Sequence, residues 1–201
     1  MTKNIFRNYA AVLVAVFTIS IFAQAQTSPA EFPDIKIKNF GQMDENYFRG
    51  AQPLPDDYKS LAAMGIKTIV DLRNDPTDYE KANAEAVGIK YINIPMSGWK
   101  SPKDADVDRV VSILNDESNG KVYVHCKAGI HRTGITGAVY RMEKYGWDYD
   151  KAYTEMKNYN FSSGLVHGKL KSYVKNYARE IAARPRTTEP ATVTTAAGTV
   201  N

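Results

Sequence analysis

Three short apolar runs, rich in β-branched residues, alternate along this chain with longer stretches of helical periodicity. The runs cover residues 66–72, 89–94 and 121–125, and each has the length and composition of a buried strand. Because a helix-length segment separates each run from the next, the strands are joined by crossovers and lie parallel. A parallel sheet is buried on both faces. The sequence therefore predicts an α/β fold, a three-layer sandwich with a mostly parallel central sheet flanked by helices.

The helices around this sheet are predicted from apolar spacing and from Gly and Pro at their ends. They cover residues 56–64, 78–87, 101–116, 133–145, 148–159 and 165–181. The third has the pattern of a capping box, with Ser101 at the N-cap, Pro102 at the first helical position and Asp104 three residues after the cap. In such folds ligands bind beyond the carboxyl ends of the strands, and the last predicted strand leads directly into Cys126.

The N-terminus has the order of a secretory signal peptide. Lys3 and Arg7 precede an apolar run over residues 10–22, and the small-residue sequence Ala-Gln-Ala follows it. The run is shorter than the roughly 20 residues that span a bilayer. We therefore predict a cleaved signal over residues 1–25 and a periplasmic or secreted protein with no stable membrane span. An uncleaved membrane anchor is the alternative.

The C-terminal residues 184–201 are rich in Thr, Ala and Pro and have no hydrophobic period. Such a segment buries too little apolar surface to offset its ordering entropy, so we predict a disordered tail. Residues 32–183 remain as the working domain, a length that suits a single hydrophobic core.

Charge and cysteine content exclude several classes of function. The formal net charge is +4, and it decreases by two if Lys3 and Arg7 leave with the signal. So small a surplus, interspersed with acids, is not the concentrated basic face of a nucleic-acid-binding protein. Cys126 is the single cysteine, which excludes an intrachain disulfide. The cysteine and the three histidines lack the spacing of a metal site, so we expect no metal and no other cofactor.

The stretch HCKAGIHRTG over residues 125–134 carries the chemistry. A loop of five residues between Cys126 and Arg132 can turn its N–H groups inward as a nest for an anion, and the following helix adds the positive end of its dipole. Gly129 permits the turn, and the planar fork of Arg132 suits two phosphoryl oxygens. The predicted substrate-binding residues of this cradle are Lys127, Ala128, Gly129, Ile130, His131, Arg132 and Thr133.

The same positive field lowers the pKa of a thiol placed beneath it, so Cys126 is expected to be a thiolate at neutral pH. A thiolate under a bound phosphoryl group is a nucleophile aimed at phosphorus. The Thr133 hydroxyl is expected to donate to the sulfur when the sulfur becomes a leaving group.

This stretch resembles the His-Cys-x5-Arg-Thr/Ser signature of the cysteine-dependent protein tyrosine and dual-specificity phosphatase superfamily. The matching residues are His125, Cys126, Gly129, Arg132, Thr133 and Gly134. Residues 48–53, 65–73 and 94–96 are similar to the atypical bacterial, plant and fungal dual-specificity-like branch. The resemblance implies hydrolysis of phosphomonoesters through a cysteinyl-phosphate, without a metal, in a three-layer α/β fold. It assigns Cys126 as the nucleophile and Arg132 as the phosphoryl-binding residue, and it implies that His125 positions the cysteine loop.

The chain departs from the family at the general acid. The family usually carries an Asp about thirty residues before the cysteine, but residues 94–99 contain no acid. Asp104 is the first candidate, although the capping box already explains it, and Asp106 is the next. Asp75 and Asp78 are more remote candidates. A phosphatase without a strong acid works best on leaving groups that depart unprotonated, such as aryl phosphates and pyrophosphates.

The expected partner is a phosphorylated substrate: a phosphoprotein, an inositol phosphate or pyrophosphate, or a small organic phosphate. Lys127 and His131 add positive charge at the rim of the cradle, which suits polyanions. Two other functions stay open. A rhodanese-type sulfurtransferase also presents a cysteine in an anion-binding loop, but it does not need Thr133. A catalytically weak phosphate-binding module would not need to keep both Cys126 and Arg132.

Overall fold

The computed structural model describes Phe32 and residues 34–164 and 167–184. Its centre is a five-stranded sheet in the order β1-β2-β5-β3-β4, in which β1 is antiparallel to β2 and the other neighbours are parallel. The strands are β1 (Gly41–Gln42), β2 (Tyr47–Ala51), β3 (Ile66–Arg73), β4 (Lys90–Met96) and β5 (Lys121–Cys126).

Helices cover both faces of this sheet, which confirms the predicted three-layer sandwich. They are α1 (Asp57–Ala63), α2 (Asp78–Ala86), α3 (Asp104–Asn115), α4 (His131–Tyr145), α5 (Tyr149–Asn158) and α6 (Gly168–Ala183), with a short 3-10 helix at Glu117–Asn119. Side chains of successive strand residues enter opposite layers. Ile69 packs with Leu61 of α1 in one core cluster, whereas Val70 packs with Val110 of α3 and Val139 of α4 in the other.

Strands β1 and β2 lie outside the three predicted runs, and several element boundaries differ from the prediction, two of which concern the surroundings of the site. Strand β4 was expected to stop at Pro95, but it continues to Met96, because β4 is the edge strand and a proline there removes no interior ladder bond. Helix α3 begins at Asp104, with Lys103 at the N-cap and no side-chain cap, so the predicted capping box at Ser101 is wrong. The Asp104 carboxylate instead accepts a hydrogen bond from the Tyr173 hydroxyl of α6 at 2.8 Å, a tertiary contact that replaces the local one.

Some predictions concern residues that the structure does not describe. The predicted signal over residues 1–25 lies outside the described residues, as does the predicted tail beyond Arg184. In the part of the chain that is described, no helix combines the length and the apolar character needed to cross a membrane.

The topology brings the functional segments to one edge of the sheet. Strands β2, β3, β4 and β5 are mutually parallel, so their carboxyl ends lie together. Cys126 ends β5, Arg73 ends β3 and Met96 ends β4. The loops that follow these strands surround one pocket, as expected for a parallel α/β sheet.

Candidate active site

Cys126 lies at the base of this pocket with 3% of its surface exposed. The chain then turns through residues 127–130 into α4, which begins at His131. Gly129 adopts φ of +67°, and a Cβ there would lie 2.3 Å from the carbonyl carbon of Gly50. Only glycine fits this position, because both the backbone angle and the close approach to β2 exclude a side chain.

The carbonyl groups of this loop are held away from the pocket by donors behind it. The pairs are Arg49 Nη2 with the Gly129 oxygen at 2.7 Å, Asn39 Nδ2 with the Ala128 oxygen at 2.8 Å and the Gln52 N–H with the Lys127 oxygen at 3.4 Å. Because each peptide unit is planar with its N–H opposite its C=O, outward carbonyls turn the neighbouring N–H groups inward. A loop arranged in this way can bind an anion, which is the role that the sequence predicts for it.

The surroundings of the Cys126 sulfur favour its thiolate. Burial opposes ionisation, but the Thr133 hydroxyl and N–H, the Arg132 charge and the Ile130 N–H together lower the pKa of the Cys126 thiol below its ordinary value. The Thr133 hydroxyl is fully buried and has no oxygen or nitrogen partner among the described residues. The sulfur is therefore the acceptor left to it.

Arg132 is fixed by the ends of two strands. Its Nη1 donates to the Leu72 carbonyl, the Met96 carbonyl and the Asn74 side-chain oxygen, each at 3.3 Å. No hydrogen bond of Nε or Nη2 is present among the described residues, and Arg132 lines the same pocket as Cys126. The guanidinium is thus positioned in advance to bind two oxygens of a phosphoryl group.

Of the four candidate general acids, the structure places Asp104, Asp106 and Asp78 away from the pocket and Asp75 beside it. Asp104, the first candidate, lines a neighbouring groove against α6, where Tyr173 holds its carboxylate, and Asp106 belongs to the same helix. Asp78 begins α2 and is not among the residues that line the pocket. Asp75, a remote candidate, is the carboxylate that lines it.

Asp75 is held in its charged form. Its carboxylate lies 3.2 Å from Arg73 Nη2, and the hydrogen bond from Arg73 lowers the pKa of Asp75, with further lowering by the charges of Arg73 and Arg132. Its side chain is 63% exposed. A carboxyl group that is ionised at neutral pH and faces water is a poor proton donor to a leaving group.

A buried charged cluster lies behind the nucleophile. His125 Nε2 lies 3.0 Å from Glu80 Oε2, and His125 Nδ1 lies 3.8 Å from Asp71 Oδ1, with all three side chains fully buried. Burial and the neighbouring Glu80 raise the pKa of Asp71, while His125 and the Tyr91 hydroxyl oppose that rise. The cluster fixes the ring of the residue that precedes Cys126, the positioning role expected for His125.

The donor types of this cluster would also suit a metal ion, but its two carboxylates already have partners, whereas the ring nitrogens of His125 have no hydrogen-bond partner among the described residues. Tyr91 donates to Asp71 at 2.8 Å, Thr77 donates to Glu80 at 3.1 Å, and Arg73 Nη1 lies 3.8 Å from Glu80. The positive charge of Arg73 offsets part of the negative charge of the two carboxylates. The arrangement is explained as a buried polar cluster that supports the cysteine loop.

Three aromatic rings form one wall of the pocket, here named the ring stack: Trp99, His131 and His167. His131 and His167 stack with 3.6 Å between their centroids, and Trp99 stacks on His167 at 5.2 Å. All three line the pocket with Cys126. Trp99 comes from the loop after β4, His131 begins α4 and His167 precedes α6, so the stack joins three separate segments.

Comparison with known proteins places this site in a family. A family model described as a DSP-PTPase phosphatase fused to NAD+ kinase matches residues 19–175. The chain belongs to this phosphatase family. Inositol diphosphatase DSP4 of Arabidopsis thaliana is 30% identical over 115 residues, which cover 53% of this chain and 57% of that protein. The chain thus spans little more than half the length of that relative.

Solved structures of phosphatases agree with the fold. The crystal structure of TpbA from Pseudomonas aeruginosa is similar with a TM-score of 0.61 at 27% identity, over 75% of this chain and 92% of that one. The core catalytic domain of the PP-IP phosphatase SIW14 from S. cerevisiae has a TM-score of 0.61 at 21% identity, over 73% of this chain and 94% of that one. The second likeness shows the fold alone.

Residues that support the phosphatase loop from a distance were not found from the sequence. Asn39, Glu80 and His167 have no motif around them, and their contacts join segments far apart in the chain. Arg49 and Asp71 offered a partial signal, since both lie within segments that resemble the family. Their buried positions on β2 and β3 would have been expected from the strand pattern, but their partners would not.

Removal of the Thr133 hydroxyl is expected to weaken the nucleophile. Thr133→Val keeps the shape of the side chain but removes the donor to sulfur, so the pKa of Cys126 rises and the thiolate forms only at higher pH. The rate of alkylation of Cys126 by iodoacetamide rises with pH as the thiolate forms. In Thr133→Val this rise should occur at a higher pH than in the unmodified chain. Thr136→Val, on the same helix and bonded to backbone carbonyls, is the matched control. If the alkylation rate of Thr133→Val depends on pH as that of the unmodified chain does, the role of this hydroxyl is contradicted.

Loss of charge at Glu80 is expected to destabilise the domain. Glu80→Gln removes the anion that faces His125 and Arg73 in a fully buried place, and we expect a loss of about 2 kcal/mol in the free energy of unfolding. Glu85→Gln, on the same helix but in an exposed pair with Lys81, should cost less than about 0.5 kcal/mol. Urea unfolding of both variants measures the difference, and equal losses would show that the buried cluster contributes no more than a surface pair.

Proposed function

We propose that this chain is an exported phosphatase that hydrolyses phosphomonoesters and diphosphates through a cysteinyl-phosphate intermediate. One observation carries the proposal: a thiol with a lowered pKa lies under a loop whose carbonyls are all tied from behind. That geometry combines a nucleophile with a preformed site for a tetrahedral anion. A passive binding module requires only the second of these features, and a persulfide carrier does not require the Thr133 hydroxyl beside the sulfur.

The reaction follows from the positions of the groups. The Cys126 thiolate attacks phosphorus while the loop N–H groups and Arg132 hold the three equatorial oxygens, and the bond between phosphorus and the leaving oxygen breaks. Water then attacks the phosphorus of the cysteinyl-phosphate and gives a proton to solvent, the phosphorus–sulfur bond breaks with its electron pair returning to sulfur, and inorganic phosphate leaves. The Thr133 hydroxyl stabilises the sulfur as it regains its negative charge.

The absence of a neutral acid in the described pocket bears on the substrate. Asp75 is ionised, so a leaving group that departs unprotonated is favoured. Phosphate, as the leaving group of a diphosphate, and phenolate, from an aryl phosphate, are both of this kind. Relatives carry both chemistries in their names: DSP4 is an inositol diphosphatase, and TpbA is a dual-specificity protein phosphatase whose structure was solved with pTyr. We propose diphosphates, inositol pyrophosphates among them, and aryl phosphates as the substrate classes.

Phosphate release by the full chain tests the activity. We expect turnover of p-nitrophenyl phosphate, a phosphotyrosine peptide and an inositol pyrophosphate, with much slower turnover of an alkyl phosphate. Cys126→Ser should abolish it, and Arg132→Lys should lower kcat/KM by about a hundredfold or more, because an ammonium cannot reproduce the bidentate fork. Lys151→Gln, an exposed cation on α5, is the control for charge loss.

The outcomes separate the alternatives. Turnover that survives in Cys126→Ser would contradict the covalent mechanism. If the folded chain releases no phosphate but transfers sulfur from thiosulfate, the sulfurtransferase hypothesis would replace this proposal. Phosphate binding without any turnover would leave only a binding module.

Export is supported by the charged, apolar and small-residue order of the first 25 residues. The full gene product in a Gram-negative host is expected in the periplasm or medium, with a mature N-terminus close to Gln26. Intact-mass measurement and N-terminal sequencing of the fractionated protein test this. A chain that stays in the cytoplasm with residues 1–25 still attached would refute the export proposal, and a full-length chain in the membrane fraction would favour an uncleaved anchor.

A further inference from the structure

The reaction steps derived above use none of the three rings of the ring stack. His131 and His167 nevertheless line the cavity that contains Cys126 and Arg132. Its volume is about 470 Å³, whereas a water molecule occupies about 30 Å³ in the liquid. A single phosphoryl group over the sulfur leaves room beside it, on the side where the two imidazole rings lie.

We propose that His131 and His167 form a second anion site, which binds the phosphate group next to the scissile one in a diphosphate substrate and takes up a proton from solvent on binding. The inference rests on the proposed phosphatase function and names the substrate class of the same pocket. Neither imidazole attacks or protonates a reacting atom, so both rings are binding groups.

The hydrogen bonding of His131 shows where the proton enters. Its Nε2 lies 3.2 Å from the Ser162 carbonyl oxygen, and a carbonyl only accepts, so Nε2 carries the hydrogen in the neutral ring. The lone pair is then on Nδ1, which is the atom that gains a proton. Burial lowers the pKa of His131, and the neighbouring His167 and Arg132 lower it further. The ring is therefore neutral at neutral pH until an anion compensates these effects.

The stacked rings are suited to sharing one positive charge. Two imidazolium rings at 3.6 Å repel each other, so the first proton is bound more readily than the second. Trp99, 5.2 Å from His167, offers an aromatic face that stabilises a cation on the ring beside it. In the proposed site the His131 ring is neutral when the pocket is empty, and the pair gains a positive charge when a second phosphate group binds.

The other charged groups around the pair are consistent with an anion. Arg132 on α4 and Lys127 in the loop after β5 contribute positive charge to the same cavity. Asp75, after β3, is the carboxylate that lines it, and Arg73 already holds that carboxylate. Lys169 on α6 lines the neighbouring groove rather than this cavity. The local field therefore attracts anions even before the histidines are protonated.

Calorimetric binding of inorganic pyrophosphate and of orthophosphate tests the proposal. The full chain carrying Cys126→Ser is compared with the same chain that also carries His167→Asn, and with one that also carries Lys169→Gln. Asparagine is a good N-cap residue, so it preserves the start of α6. Titrations at about pH 7.5 and about pH 5.5, the range in which histidine is protonated, are repeated in two buffers of different ionisation enthalpy to count the protons taken up.

We expect His167→Asn to weaken pyrophosphate binding about tenfold at the lower pH, as loss of a charge-assisted hydrogen bond would. Orthophosphate binding should weaken much less, and proton uptake with pyrophosphate should fall. The Lys169→Gln chain should behave like its parent. The protonation of the ligand itself is the same in every titration. The ratio of the dissociation constants of two chains therefore reports the contribution of the protein.

Three results would overturn the proposal: equal weakening of both ligands, no weakening of either, or proton uptake that does not depend on His167. Turnover of p-nitrophenyl phosphate by the unmodified chain is measured in parallel. If that turnover is absent, the phosphatase function itself fails. If that turnover is present but pyrophosphate binding is the same with and without His167→Asn, only the proposal of a second anion site is refuted. The ring stack then serves to close the pocket.

Discussion

The active site depends on three backbone carbonyls that point away from it. A loop of bare peptide groups binds an anion only when its N–H groups converge, and that requires donors on the opposite side for its C=O groups. Arg49 is the strongest of these donors and is fully buried, which is costly for a charge. Its bond to Gly129 and its contact with the Tyr159 ring at 3.9 Å offset that cost. The order β2-β5 in the sheet places Arg49 there, since Gly50 pairs in register with His125.

Sequence reasoning found the features that are local in the chain. Strands β3, β4 and β5 and the helices follow from periodicity, and the cysteine loop follows from ten consecutive residues, so the fold class and the place of the loop could be predicted, although strands β1 and β2 were not. The supports could not, because Asn39 and Arg49 reach the loop across 89 and 80 residues of sequence, and no local pattern encodes such a contact. Asp104 shows the converse error: a local capping pattern was overridden by a hydroxyl from α6. His167 had no recognisable context at all, yet it lines the pocket.

The buried carboxylates behind the nucleophile raise an electrostatic question, since negative charge near a thiolate opposes its formation. The answer lies in the side chains placed around them. His125 faces both carboxylates, and Arg73 approaches Glu80 from the strand end. The charge of Arg73 thereby offsets part of the negative charge of the cluster, and the groups that favour the thiolate lie around the sulfur itself: the Thr133 hydroxyl, Arg132 and the N–H groups of the loop. The buried side chains behind the strand hold it in place, while these groups polarise the loop positively.

The positive groups beside Cys126 also explain how the site can act without a neutral carboxylic acid. Arg73 keeps Asp75 ionised, so proton donation to the leaving group is weak, and catalysis relies on binding the transferring phosphoryl group. Substrates whose leaving group is itself a stable anion lose least from this arrangement. Such a leaving group carries charge away from phosphorus toward the wall formed by His131 and His167. In the proposed second anion site, titratable rings rather than permanent cations let the pocket bind a diphosphate and still release the less highly charged phosphate, because the rings lose the added proton when the second phosphate group leaves.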